Sequence, residues 1–170
     1  LNLLIKECGD CCTNYQKQYY YGNSNANILI INDNATNDKD IIDYFNTLLE
    51  MSEINTDDIF IVNSVSCVTT RKDKGIEIQR IPSKKECNNC KCFINQAIKI
   101  VNPRIIISLG ATALNQFIPG SNLLEYINTK QVFNGIPTLI NYSVKDLFDL
   151  TAYKTEDEIQ EISCSILETF

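Results

Sequence analysis

Residues 87–110 read CNNCKCFINQAIKIVNPRIIISLG, and this stretch decides the fold. After three cysteines, apolar residues at helical spacing over residues 92–101 predict a short amphipathic helix. Pro103 ends that helix, because proline cannot continue it and restricts the residue before it. The apolar run at 105–109 predicts a buried strand, and Gly110 permits a sharp turn into the next helix. The stretch therefore predicts a helix–strand–helix unit of a parallel sheet.

Predicted strands and helices also alternate in the sequence before and after residues 87–110. Apolar runs at 28–31 and 59–62 predict two buried strands, with an amphipathic helix from residue 40 between them. Residues 132–140 predict a hairpin or edge strand that leads into a fourth core strand. Residues 68–82 are polar and basic and predict a long loop, and residues 155–170 predict a closing helix. The predicted fold class is α/β: a three-layer α/β/α sandwich with a mostly parallel four-stranded central sheet, in one domain over residues 1–170.

Composition and charge limit the function classes. Hydrophobic residues make up 44% of the chain, which is typical of a globular protein, and no apolar run approaches the roughly 20 residues of a membrane span. We expect no membrane partner and no signal peptide, and a reducing compartment, cytoplasmic or nucleoid-associated. The net charge of −6 argues against a broad, non-specific grip on nucleic acid, although basic residues concentrate between Arg71 and Arg104.

Eight cysteines in 170 residues indicate disulfides, zinc or an iron–sulfur cluster. The full core pattern and the absence of a secretory signal favour a metal over disulfides. We predict that the cysteines at the start of the chain, Cys67 and the cysteines of residues 87–92 meet at one metal centre. The spacings Cys8-x-x-Cys11 and Cys87-x-x-Cys90 are typical of a four-cysteine zinc site, which would make the chain a protein-interaction module. Cys164, on a predicted helix face, is interpreted as a small core residue.

Polar residues directly follow three of the predicted strands. Asn32 and Asp33 follow the first strand, Asn63 the second and Gly110 the third, with Cys67 a few residues beyond the second. Since open α/β sheets bind ligands beyond the carboxyl ends of their strands, these residues should converge on one rim.

Four pieces in this order resemble a known family. They are CGDC at residues 8–11, IFIVNSVSC ending at Cys67, RIPSKKECNNCKCFINQ at 80–96, and NPRIIISLGATA at 102–113. Together they resemble the iron–sulfur uracil-DNA glycosylases of families 4 and 5, over most of residues 8–115. The resemblance implies a [4Fe–4S] cluster with the ligands Cys8, Cys11, Cys67 and Cys90. Cys87 and Cys92 are alternatives to Cys90, and Cys12 is an alternative to Cys11.

The resemblance also implies a base-excision site, from which this sequence departs. Family members carry an acidic residue after the first strand, then a base-stacking aromatic, an Asn that reads uracil, and a late His. Asn63 keeps the reading position, and Asp33 replaces the usual Glu in a loop that lacks the family's Gly and Pro. The segment with the stacking aromatic is missing, and Asn141 falls near the His position in a chain without any His. The implied catalytic residues are therefore Asp33 and Asn141, and Asn63 is the implied base-binding residue.

Each of these residues also has a structural interpretation. Asn63 is a turn former or cap, Asp33 an N-cap and Asn141 a turn residue. The tyrosines at 19–21 either stack on bases or pack over the cysteine site. Basic residues near the cysteines either contact the DNA backbone or form a solvated face; they are Lys72, Lys74, Arg80, Lys84 and Lys85.

Three functions follow from this sequence. The first is a divergent, catalytically weakened or inactive uracil-DNA glycosylase-like protein with an accessory role in replication or repair, whose partners are DNA and a replication or repair protein. The second is an active glycosylase that excises uracil, and the third is the four-cysteine zinc module. The missing His and the altered first loop favour the first.

Overall fold

A six-stranded sheet forms the centre of the protein, whose computed structural model describes residues 2–11, 16–52 and 54–151. The strands in these residues are β1 (Tyr21–Gly22), β2 (Ile28–Asn32), β3 (Ile59–Asn63), β4 (Thr70–Asp73), β5 (Ile76–Gln79), β6 (Ile105–Leu109), β7 (Thr129–Phe133) and β8 (Ile136–Asn141). The α-helices in the same residues are α1 (Asn2–Glu7), α2 (Lys39–Met51), α3 (Lys84–Val101), α4 (Ala111–Phe117) and α5 (Val144–Thr151).

The strand order in the sheet is β1-β3-β2-β6-β8-β7. The four inner strands are parallel, and Ile30 of β2 lies opposite Ile61 of β3 and Ile107 of β6. The edge strands β1 and β7 are antiparallel to their neighbours. The predicted fold class is confirmed, but the sheet has six strands and not four, because a short strand closes each edge of the parallel core.

Helices cover both faces of the sheet. On one face α2 and α5 pack against alternate residues of the parallel strands, including Ile30 and Ile107. On the other face α1, α3 and α4 pack against the intervening residues, including Leu29 and Ile106. The parallel strands are buried on both faces, which explains why they read as continuous apolar runs in the sequence.

The structure corrects three details of the sequence-based prediction. Residues 68–82 are not a long loop: β4 and β5 form a hairpin whose turn is Lys74-Gly75, both at positive φ. Helix α3 begins at Lys84, so it contains all three cysteines of residues 87–92. Helix α5 was not predicted at all. The predicted closing helix at 155–170 lies outside the described residues. Among the helices that the structure describes, none has the length and apolar character needed to cross a membrane.

Candidate functional site

An open cleft of about 1040 Å³ lies at the carboxyl ends of the parallel strands. Asn32, the last residue of β2, and Asp33 line it, as do Asn63 at the end of β3 and Thr112 in the first turn of α4. Of the residues predicted to converge on one rim, Asn32, Asp33 and Asn63 therefore lie together, and a Cβ at Gly110 would meet Asp33 there. Cys67 does not line the cleft and is buried in the core beside α3. The remaining wall comes from the N-terminal segment 17–21, helix α2, the end of the β4–β5 hairpin and the start of α5. This position is the one at which open parallel sheets bind ligands.

The carboxylate of Asp33 caps a neighbouring helix. Its Oδ1 accepts a hydrogen bond from the backbone N–H of Thr112 at 2.6 Å, in the first turn of α4. The N-cap of α4, Gly110, has no side chain to do this, and a Cβ at Gly110 would lie 2.4 Å from Asp33 Oδ1. Burial raises the pKa of Asp33, and the hydrogen bond from Thr112 opposes that rise. Asp33 is thus an N-cap as one interpretation expected, but for α4; Asp38 caps the helix that follows β2.

Asn63 lies in the cleft wall and is held by Gln18. The Asn63 Nδ2 donates to Gln18 Oε1 at 3.3 Å, and the same oxygen accepts from the backbone N–H of Thr36 at 3.2 Å. Gln18 also donates from Nε2 to the Thr36 carbonyl. Asn63 is 8% exposed, so its carboxamide is fixed in direction and presents a donor and an acceptor to a bound molecule.

Asn141 does not line the cleft. It is the last residue of β8 and is 4% exposed. Its Oδ1 accepts from the backbone N–H of Tyr142 at 2.8 Å, while its buried Nδ2 has no hydrogen-bond partner in the described part of the chain. Beyond the carboxyl end of β8, the residues that line the cleft are Ser143 and the first turn of α5.

Four cysteines from distant parts of the chain meet beside α3. Cys67 and Cys90 are buried in the core that α3 forms with the sheet, and Cys8 packs against that core. Cys11 lies next to them, since Asn89 Nδ2 of α3 donates to its Sγ at 3.5 Å. The N-terminal segment is tied to the end of β3 by backbone hydrogen bonds: Gln18 N–H to the Ser66 carbonyl at 2.7 Å and Val68 N–H to the Gln16 carbonyl at 2.9 Å.

The thiols of this group influence one another electrostatically. Burial raises the pKa of Cys90 to about 12, and Cys67, Cys11 and Cys8 add to the rise. Burial likewise raises the pKa of Cys67 to about 11, with Cys11 and Cys8 adding to it and Lys17 opposing it. Desolvated thiols that also face one another are unstable as free thiolates, and a bound cation would remove both penalties.

Cys87 and Cys92 lie on the same helix as Cys90, and Cys87 packs against the same core as Cys8. Burial raises the pKa of Cys87, with Asp33, Glu86 and Cys11 adding to the rise. Cys92 is exposed and its Sγ donates to the Asn89 carbonyl at 3.3 Å. All six cysteines in the described ranges are free thiols. Within the same ranges no three His, Cys, Asp or Glu side chains form a ready-made site for a single metal ion. Cys12 and Cys164 lie outside the described residues.

The basic residues near the cysteines divide into two kinds. Lys72 and Lys74 are exposed on the β4–β5 hairpin, and Lys84 and Lys85 are exposed at the start of α3. Arg80, by contrast, forms a bidentate pair with Glu86, with Nη2–Oε1 at 2.7 Å and Nη1–Oε2 at 2.9 Å. Its guanidinium joins the hairpin to the first turn of α3, and Arg80 also lines the cleft.

The tyrosines at residues 19–21 point to different places. Tyr20 is buried and packs edge-on against Phe60, with ring centroids 6.5 Å apart. Tyr19 and Tyr21 are exposed and line the cleft. Tyr20 therefore packs in the core that contains the cysteines, as one interpretation of this segment expected. Tyr19 and Tyr21 expose aromatic surface at the cleft, as base stacking would require.

The chain is similar to a known protein family over most of its length. Residues 19–159 match the family model for the uracil DNA glycosylase superfamily. The chain belongs to this superfamily. A Type-4 uracil-DNA glycosylase of Thermotoga maritima is 33% identical over 100 residues, which cover 54% of this chain and 47% of that protein. The chain therefore spans about half the length of this curated relative.

The sequence analysis did not predict several features of the cleft in this superfamily member. Gln18 positions Asn63, but it lies in a segment without secondary-structure periodicity. Asn32 was predicted to lie on this rim, but the lack of a hydrogen-bond partner for its buried Oδ1 among the described residues was not. Ser143 Oγ accepts a hydrogen bond from the backbone N–H of Asp146 at 3.0 Å and donates to Asp146 Oδ2 at 2.7 Å, and the Ser-x-x-Asp spacing was the signal for this cap at the start of α5.

Proposed function

We propose that this protein binds DNA in the cleft as a uracil-DNA glycosylase-like protein with weakened or absent base excision, in an accessory role in replication or repair. The observation that carries this proposal is the state of Asp33: the acidic group that the superfamily site requires lies in the cleft, but its Oδ1 is engaged as the cap of α4. One oxygen of this carboxylate is therefore occupied by the backbone and is not free to position a water molecule, although burial raises the pKa of Asp33.

The cleft retains features suited to a nucleobase. Enzymes and binding proteins of this kind take the base out of the stack and recognise its polar edge in a pocket. The fixed carboxamide of Asn63 supplies one donor and one acceptor, which matches the alternating acceptors and donor on the edge of uracil. Tyr19 and Tyr21 add exposed aromatic faces on which a base or a neighbouring nucleotide can stack.

The groups that would perform the excision are reduced. Base departure leaves negative charge on the uracil ring, and a protonated or hydrogen-bonding imidazole stabilises such charge well. The chain contains no His. Asn141 has a buried N–H₂ group without a hydrogen-bond partner in the described residues, does not line the cleft, and carries neither charge nor a transferable proton. We expect recognition of DNA to survive better than turnover.

For the metal centre we propose a [4Fe–4S] cluster held by Cys8, Cys11, Cys67 and Cys90. Four thiols that converge from three chain segments match the usual cluster ligand set, and an iron–sulfide core is larger than one ion, so its ligands stand farther apart. When bound, the cluster supplies a covalent link between the N-terminal segment, the end of β3 and α3. The chain's own residues prepare that link, since Lys17 donates to the carbonyls of Lys6 and Cys8.

Metal and sulfide analysis of protein purified without oxygen tests the cluster. About four irons and four sulfides per chain, with a brown colour and a broad visible absorption band, is the expected result. One zinc without sulfide would contradict it and would favour the ligands Cys8, Cys11, Cys87 and Cys90 of a zinc interaction module.

Two assays on one protein preparation test the DNA function. Binding to uracil-containing duplex at increasing salt should weaken steeply, because phosphate contacts release counterions. Release of uracil from single- and double-stranded DNA should be at least about a hundredfold slower than with an active Type-4 enzyme, as expected for loss of a general acid–base group. Turnover comparable to that enzyme would show the second function, an active glycosylase, to be correct. Binding to neither DNA form at low salt would refute the proposal. The partner protein in replication or repair is a further prediction, motivated by the net charge of −6.

A further inference from the structure

The side chain of Gln18 connects the loop after β2 to Asn63 in the cleft. Its Oε1 accepts from the backbone N–H of Thr36 at 3.2 Å, and its Nε2 donates to the Thr36 carbonyl. A carboxamide that pairs with both backbone groups of one residue has one satisfactory orientation, because the reversed one places donor against donor and acceptor against acceptor. The backbone of Thr36 therefore sets the direction of the Gln18 amide.

Both ends of this contact are held in place. Thr36 Oγ1 donates to Gln79 Oε1 and accepts from the backbone N–H of Asp38, each at 3.1 Å. The backbone N–H of Gln18 donates to the Ser66 carbonyl at 2.7 Å. Since neither backbone is free to turn, a reversed Gln18 amide has no alternative set of partners here.

The direction of the Gln18 amide fixes the direction of the Asn63 amide. The atom of Gln18 that Asn63 contacts is Oε1, to which Asn63 Nδ2 donates at 3.3 Å. A reversed Asn63 would lose this hydrogen bond and would place its oxygen against that of Gln18. In the observed orientation, Asn63 lines the cleft and its Oδ1 accepts no hydrogen bond from the described residues. This oxygen and the second N–H of Nδ2 are left for a bound molecule.

The direction of an asparagine amide distinguishes uracil from cytosine. Uracil carries a hydrogen on ring nitrogen N3 next to a carbonyl oxygen, whereas cytosine has a bare N3 next to an amino group. A fixed acceptor–donor pair is complementary to the first edge and opposes the second at both positions. A site whose polar groups are left unpaired by the wrong ligand discriminates strongly against it, because burial of an unpaired group costs more than a formed hydrogen bond gains.

We propose that Gln18 is a positioning residue that gives the cleft its preference for uracil over cytosine, by keeping the oxygen of Asn63 available to the N3–H of the bound base. The proposal rests on the DNA-binding function proposed above and adds the residue that sets which base is bound. Gln18 acts through Asn63 and has no role in bond cleavage. Without Gln18, the Asn63 amide turns over freely and accepts either base.

Affinity for two single-stranded oligonucleotides that differ at one position, uracil or cytosine, tests this inference. Single strands remove the cost of opening a base pair, which differs between the two bases. A 2′-fluoro sugar at that position slows cleavage of the base, so binding is measured independently of turnover. The quantity compared between proteins is the ratio of the two dissociation constants. A smaller folded fraction weakens both affinities by the same factor and cancels in this ratio.

Two substitutions of Gln18 and one control give different expected ratios. Gln18→Met removes both amide groups at similar length and should lower the uracil preference about tenfold, about 1.4 kcal/mol, chiefly through tighter cytosine binding. Gln18→Glu keeps an oxygen toward Asn63 and the Thr36 N–H, so it should weaken binding of both strands through its charge and retain the ratio. Gln16→Met is the matched control, because Gln16 accepts from Asn37 Nδ2 at 2.8 Å in the same segment and does not line the cleft.

The outcomes separate this inference from the function on which it rests. An unchanged ratio with Gln18→Met, or an equal fall with Gln18→Met and Gln18→Glu, would overturn the positioning role while DNA binding stands. Equal affinity of the unaltered chain for the two strands would also overturn it. Absence of binding by the unaltered chain to either strand at low salt would overturn the proposed function and this inference together.

Discussion

Replacement of Glu86 by Gln removes the charge that joins the β4–β5 hairpin to α3. Glu86 receives two hydrogen bonds from the Arg80 guanidinium and two from Ser83, whose backbone N–H and Oγ lie 2.7 and 2.8 Å from Oε2. Glutamine has nearly the same shape as glutamate and also suits the N3 position of a capping box. It removes the carboxylate charge that faces the Arg80 guanidinium, in a site where the Glu86 side chain is 9% exposed.

The size of the expected loss in the free energy of unfolding follows from the pKa of Glu86. Hydrogen bonds from Arg80 and Ser83 outweigh the effect of burial and lower its pKa from the ordinary 4.5 to about 2. At about 1.4 kcal/mol for each pH unit, the ionised form gains about 3 kcal/mol on folding. The amide keeps part of the hydrogen bonding, so we expect Glu86→Gln to lower the free energy of unfolding by about 2–3 kcal/mol at pH 7.

The pH dependence of this difference has a definite sign. Since the folded-state pKa of Glu86 lies below the unfolded value, its contribution is complete above about pH 4.5 and is lost as the pH falls toward 2. The gap in stability between the wild type and Glu86→Gln should therefore narrow as the pH is lowered from 5 to 3. Loss of the proposed metal centre in acid would affect both proteins alike and would not enter the difference.

Urea unfolding of both proteins at pH 7, 5 and 3 measures these quantities. Asp149→Asn is the control, because the Lys145–Asp149 pair is an exposed i,i+4 contact of α5 whose loss should cost less than about 0.5 kcal/mol. A loss with Glu86→Gln no larger than that of the control would refute the reasoning. A difference in stability between the wild type and Glu86→Gln that widens in acid would refute it as well.

Three further predictions concern other sites. Gly110→Ala should lower stability by about 2–4 kcal/mol, because its φ is 93° and the new Cβ would meet Asp33 Oδ1; an unfolding midpoint equal to the wild type would contradict this. Asp33→Asn should be at least as stable as the wild type at pH 7 and lose that advantage in acid, because burial raises the Asp33 pKa above its unfolded value; a clear loss of stability at pH 7 would be the opposite result. Cys90→Ser should remove most of the bound iron, whereas Cys92→Ser should leave it in place, since Cys92 is exposed; equal iron content in the two variants would disprove the proposed ligand set.

The parallel core could be predicted from the sequence because its signal is local. Strands buried on both faces require apolar side chains at successive positions, so the runs at 28–31, 59–62 and 105–109 coincide with β2, β3 and β6. Gly110 was placed correctly because the turn after β6 has a positive φ. The convergence of Asn32, Asp33 and Asn63 followed from topology alone, since the carboxyl ends of parallel strands share one edge.

The features that were missed depend on short or non-local signals. Six of the eight strand residues of the β4–β5 hairpin are exposed and the other two are half-buried, so the hairpin has no buried face to show a period. Strand β1 has two residues and exists only through its pairing with β3. The role of Asp33 as the cap of α4 depends on Thr112, 79 positions away, and no pattern near residue 33 shows that contact.

The pairing of β1 has a consequence for the order in which the chain acquires structure. Its only strand partner in the described sheet is β3, where Tyr21 lies opposite Ile61, and the segment before it pairs with residues 66–68. On a ribosome that synthesises from the N-terminus, residues 16–22 emerge some forty residues before their partners exist. Residues 16–22 must therefore wait for β2 and β3 to form. We expect nascent chains that end before residue 59 to expose residues 16–22 to proteases and longer chains to protect them.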